Sequence, residues 1–151
     1  MSAYQNHETQ FTDQQCLVEV LQEEGYEVQV NAVAQPLEGY HGDKRAQTAE
    51  IILPRRSVNK FSGGASNDIG FKKQADGTFK AIVSDYDHGV HGEGWRHKIA
   101  QKYAEKKATS LAKAHGASFS KREEVTKADG KKVTRLTFIA PTQVQAGRAR
   151  F

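Results

Sequence analysis

The sequence has one cysteine in 151 residues and no apolar run that approaches the length of a membrane helix. A lone Cys16 excludes an internal disulfide, which accords with a reducing compartment. Without roughly 18 consecutive apolar residues, no membrane-spanning helix is expected. The opening MSAYQNHETQF lacks the basic-then-apolar order of a secretory leader, so the expected setting is the cytoplasm, with no membrane partner. Signatures of catalysis are missing too. There is no Gly-x-Ser-x-Gly elbow, and Gly63-Gly64 is followed by no Lys-Ser/Thr pair at the spacing of a phosphate loop, so it reads as a flexible turn. Cys16 falls on the apolar stripe of an expected helix, where a cysteine behaves as a small hydrophobe. No catalytic residue is assigned, and the reading leans away from an enzyme.

What the chain does have is length enough for one domain, expected over residues 1–140 with a basic tail at 141–151, and a lopsided charge. The net charge is +4, but residues 1–90 carry 8 Lys+Arg against 13 Asp+Glu, a net −5, while residues 91–151 carry 14 against 5, a net +9. Such asymmetry points to a basic face or tail and to an anionic partner.

Apolar spacing at Cys16, Leu17, Val20 and Leu21 predicts a helix over 13–24, with Thr12 and Gln15 as a capping box, Phe11 and Cys16 as a staple, and Gly25 as the stop. Alternation then predicts a strand over 26–30, a loop over 31–47, a strand over 49–53 ending at Pro54, and a mobile loop over 54–67. Asp76-Gly77 and Asp129-Gly130 each mark a hairpin, with strands over 68–73 and 78–84, then 117–126 and 131–140. A long helix over 95–115 ends at Gly116, a first strand is possible over 3–10, and SDYDHGVHGEG at 84–94 is read as irregular. The order β-α-β-β-β-β-α-β-β predicts an α+β fold, mainly antiparallel sheet with two helices on one face.

The segments LQEEGYEV at 21–28, NDIGF at 67–71 and QKYA at 101–104, inside a long helix that ends in Gly before a strand, carry a resemblance. Their order over about residues 11–139 resembles a family of small uncharacterised proteins of cyanobacteria and red-algal plastids, a domain of unknown function. The resemblance implies a fold and a cytosolic or stromal setting, and it brings no catalytic residues. Genes of some family members lie beside those of AAA-type ATPases, which implies an accessory role as one expectation. The sequence departs from the family at DYDHGVHGEG, where the family carries a short aliphatic link with a tryptophan.

Three segments are candidates for function. On the long helix, Trp95, Ile99 and Tyr103 share one side with Ala100, Ala104, Ala108 and Leu111 beside them, while Lys98, Lys102, Lys106 and Lys113 share the opposite flank. Such lysines are either an ordinary solvated face or a ladder for phosphates, and Lys121, Arg122, Lys127, Lys131 and Lys132 in the last hairpin extend it. The second candidate is the pair of arginine segments, Arg55-Arg56 with Lys60-Phe61 and Arg148-Ala149-Arg150-Phe151, which can clamp phosphate and stack on bases or remain solvated. No ribonucleoprotein consensus, GXXG clamp or zinc-knuckle spacing accompanies them.

The third is Asp85-x-Asp87-His88-x-x-His91, followed by Glu93 and His97, whose carboxylates and imidazoles suit a divalent metal. The leading expectation is a non-enzymatic module that binds nucleic acid, RNA or DNA, through the basic helix face, hairpin and tail. The alternatives are an accessory subunit on an acidic protein assembly such as an AAA-type ATPase, or a metal-dependent hydrolase centred on residues 85–93.

Overall fold

The computed structural model describes residues 2–140. The expected tail at 141–151, with Arg148 and Arg150, lies outside the described residues. The elements are β1 (Tyr4–His7), α1 (Gln14–Glu23), β2 (Gln29–Glu38), β3 (Lys44–Leu53), α2 (Arg55–Ser62), β4 (Ile69–Lys73), β5 (Phe79–Ser84), a 3-10 turn (Tyr86–Gly89), α3 (Glu93–Ala114), β6 (Ser118–Thr126) and β7 (Lys132–Ile139). The α+β class with an antiparallel sheet is what the sequence predicts.

Five strands pair antiparallel in the order β1-β5-β4-β3-β2, and β6 pairs with β7 separately. The larger apolar cluster joins Leu17, Val20 and Leu21 of α1, Val58 of α2, and Ile99 and Tyr103 of α3 to Ile51, Leu53, Phe71, Phe79, Ala81 and Val83 of the strands. A smaller cluster, built from Tyr4, Leu37, Ala49, Ile52 and Ile82, contains no helix residue. Gly70 permits its close approach, because a Cβ there would lie 2.8 Å from the Ala49 Cβ and 3.0 Å from a Leu37 methyl.

Three readings of the sequence are corrected. The cap of α1 is Asp13, whose carboxylate accepts the Cys16 N–H at 3.0 Å, while the Thr12 N–H donates to the Tyr103 hydroxyl at 3.1 Å. Asp and Thr are comparable caps, so local sequence does not choose between them. The expected loop at 31–47 is largely strand. Residues 29–36 of β2 are exposed or half-exposed, so no alternation betrays it, and Pro36 is tolerated because β2 is an edge strand. The expected mobile loop at 54–67 contains α2, which starts after Pro54, buries Ser57 and Val58, and ends at Gly63 with φ +93°. With only Val58 and Phe61 as large apolar residues, it offers no legible periodicity.

The described residues fall into two compact units that divide between Tyr103 and Ala104. In the second, β6 and β7 pair from Ser118 opposite Ile139 to Thr126 opposite Lys132, with an irregularity between Phe119 and Lys121. The expected Asp129-Gly130 turn closes the ribbon, and Gly130 adopts φ +85°. No residue of β6 or β7 is buried.

Candidate functional site

The lysine flank of α3 divides by what each ammonium meets. Lys98 and Lys102 both reach the Glu24 carboxylate at the end of α1, at 2.9 and 3.3 Å. The hydrogen bond from Lys98 and the charge of both lysines hold that carboxyl below its ordinary value. Lys106 is half-buried on α3, and Lys113 is exposed in its last turn. Leu111, expected beside the apolar side, is half exposed.

On the ribbon, Arg122 holds Glu105 at 3.0 Å, and Glu123 lies between Lys121 at 3.5 Å and Arg135 at 3.6 Å. Lys113, Lys127, Lys131 and Lys132 form no ion pair among the described residues. Lys127, Lys131 and Lys132 cluster at the turn, where the Asp129 carboxylate is occupied by the Lys131 backbone N–H at 3.0 Å.

The Arg55-Arg56 pair opens α2. The Arg55 N–H donates to Asp68 at 2.7 Å, and its guanidinium donates to the Tyr40 carbonyl at 2.9 Å. Asp68 also accepts the Glu38 N–H at 2.8 Å, so one carboxylate fastens β2 to the start of α2. Burial raises its pKa. Arg56 forms a two-point ion pair with Glu27. A polar cleft of about 550 Å³ opens beside them, lined by Asn31, Gln35, Lys44 and Asn59 among others. Arg55 and Arg56, which the sequence marks as part of an anion clamp, thus already have partners within the fold.

The histidine-rich segment is ordered as the 3-10 turn and the start of α3, where the sequence predicts irregular chain. Asp87 is buried and accepts from Ser84 Oγ at 2.7 Å and from the Asn67 backbone N–H at 3.0 Å. His91 is fully buried, with Nε2 sharing a hydrogen bond with the Tyr26 hydroxyl at 2.7 Å and the Trp95 ring edge-on at 4.9 Å. Burial lowers the His91 pKa against the pull of Asp87, and it pushes the Tyr26 hydroxyl up to about 12.

His88 points elsewhere. Its Nδ1 lies 2.7 Å from the Ser84 carbonyl, which can only accept, so Nδ1 carries the hydrogen. In the neutral ring Nε2 is then an acceptor, and it faces His7 Nε2 at 2.7 Å. Burial lowers the His7 pKa, and the charges of Arg96 and His88 lower it further. Asp85 is exposed, and Glu93 pairs with His97 at 3.8 Å on the surface. Asp85, Asp87, His88 and His91, singled out as metal ligands, therefore face different surroundings. Among the described residues no group of three or more His, Cys, Asp or Glu is arranged to hold a metal ion.

The partners His7, Asn67 and Tyr26 escape sequence reasoning because they reach this segment from 17 to 81 positions away. A family described as proteins of unknown function, DUF1257, matches residues 15–136. The chain belongs to that family. The matched span runs from α1 into β7 and so includes the histidine segment and most of the ribbon. No curated protein and no solved structure matches the chain.

Proposed function

We propose that the chain is a non-enzymatic cytoplasmic module that binds an anionic macromolecule, nucleic acid first, through the ribbon and the adjoining end of α3. One observation carries this reading: within the second unit Lys113, Lys127, Lys131 and Lys132 have no carboxylate partner among the described residues, whereas Lys98, Lys102, Arg56 and Arg122 are matched inside the fold. Residues 104–140 hold 9 Lys+Arg against 4 Asp+Glu, a net +5 carried by surface that buries little. Phosphates neutralised by such side chains release condensed counterions, so binding falls steeply with salt. A fluorescence-anisotropy titration with single- and double-stranded DNA and RNA is expected to show binding at 50 mM salt that weakens strongly by 200 mM. Absence of binding to every one of these probes at low salt removes the nucleic-acid reading.

A specific observation favours a second reading, an accessory subunit on an acidic protein assembly such as an AAA-type ATPase. Leu111, Phe119, Val133 and Ile139 are exposed in the second unit, and exposed apolar side chains on a unit of net positive charge suit a protein partner. A partner that stays attached through nuclease treatment supports this reading over the first. The hydrolase reading of residues 85–93 is the least supported, since Asp87 and His91 are buried.

A further inference from the structure

We infer that the partner is a B-form duplex and that the β6–β7 ribbon enters its major groove tip first. This rests on the nucleic-acid reading above and goes further by naming the form of nucleic acid and the element that meets it.

The ribbon's shape suits a groove. Its strands run for 9 and 8 residues, a length of about 27 Å at roughly 3.4 Å per residue. A two-stranded ribbon fits the major groove of B-DNA, about 12 Å wide, whereas the major groove of A-form RNA is too narrow to be read this way. A two-stranded ribbon by itself is marginal in water, and none of its residues is buried. Walls of phosphate on both sides would supply the order that the missing core does not.

Its chemistry also distinguishes a duplex from a single strand. Lys127, Lys131 and Lys132 flank the turn without ion pairs among the described residues, and they lie at the end that would enter first. The carboxylates do not oppose them: Glu123 and Glu124 lie mid-ribbon, and Asp129 is held by its own turn. Single-strand binding relies on aromatic planes beside the cations. The ribbon's aromatics are Phe119 and Phe138, paired edge-to-face at 5.8 Å at the opposite end from the lysines. The tip thus offers cations without a stacking surface, which suits phosphates across a groove better than unpaired bases.

The test compares the full chain on a 20-base-pair DNA duplex, its separated strands and an RNA duplex of the same sequence, at several salt concentrations. The DNA duplex is expected to bind at least tenfold tighter than either other probe. The triple variant Lys127→Gln, Lys131→Gln, Lys132→Gln should bind at least tenfold more weakly, with its salt slope reduced by about 2.7 for three lost phosphate contacts. A control with the same charge change, Lys72→Gln, Lys73→Gln, Lys80→Gln, should keep the slope, and circular dichroism of both variants checks folding. A duplex whose major groove is filled by glucosylated hydroxymethylcytosine should lose binding, while a minor-groove ligand should not compete. Equal affinity for duplex and single strands, or a triple variant no weaker than the control, overturns the groove inference and leaves nucleic-acid binding standing. No binding to any probe removes both.

Discussion

The two units use their residues in contrasting ways. In the first, Leu17, Leu21, Phe71 and Phe79 are all below 2 % exposure, and three carboxylates tie elements together: Asp68 fastens β2 to α2, Asp87 takes up Ser84 and Asn67, and Glu24 collects two lysines. In the second, Phe119 and Leu111 are half exposed and the turn lysines have no carboxylate. Buried apolar area is the main favourable term in folding, so the first unit holds most of the chain's stability, and the second presents lysines that no carboxylate of the described residues neutralises. A surface charge left unmatched costs little in water, and this allows one small chain to contain both kinds of region.

The sharpest way to break this comparison is a matched pair of truncations. Phe71→Ala removes a ring from the larger cluster and should cost about 3–5 kcal/mol in denaturant unfolding. Val133→Ala on the ribbon should change stability by about 0.5 kcal/mol or less. A Val133→Ala cost near that of Phe71→Ala would mean that the ribbon is covered, and the contrast between the units would fail.

Acid should act on the first unit by a route that the buried His91 and the partly covered His7 define. His91 and His7 both have folded pKa values below the ordinary 6.5, through burial first, with Arg96 and His88 adding to the effect at His7. Just below pH 6.5 the unfolded chain therefore binds these protons more readily than the folded chain. Stability is full above that pH and declines as pH falls towards the folded values, by up to about 1.4 kcal/mol per pH unit for His91 and by less for His7, which solvent screens. Thermal unfolding midpoints measured from pH 7.5 to 5 should fall. In His91→Gln the midpoint should be lower at pH 7.5, and its pH dependence should be shallower by up to one proton. An unchanged slope would show that His91 is not the group that titrates.

Legibility in the sequence followed the range of the interactions. The first helix was legible because Cys16, Leu17, Val20 and Leu21 announce a period, both hairpins because Asp-Gly dictates a turn, and the end of α3 because Gly116 takes φ +80°. α2 and the first part of β2 were not, since one has too few apolar residues for a period and the other shows little burial on either face. The lysine flank was correctly placed on one helix, but that two of its members would meet Glu24, 74 and 78 positions earlier, depends on how α1 and α3 pack. The histidine segment stood out by composition. Its division between a buried Tyr26–His91 bond and a His7–His88 pair is tertiary and has no local signal.

The smallest expected effect separates paired from unpaired lysines. Lys98 and Lys102 share one carboxylate from the surface, an arrangement worth about 0.2–1 kcal/mol. Lys102→Ala should thus lower stability by about 0.5 kcal/mol, and the same change in Glu24→Gln should cost nothing further, since the interaction is already lost. Lys131→Ala, with no partner to lose, should leave the unfolding midpoint unchanged while weakening duplex binding. A double-mutant cycle on Lys102 and Glu24, set beside Lys131→Ala in both assays, reads this directly. If Lys102→Ala weakened binding as much as Lys131→Ala while Glu24→Gln strengthened it, the internal carboxylate would be a competitor for the partner and the division between the units would not hold at α3.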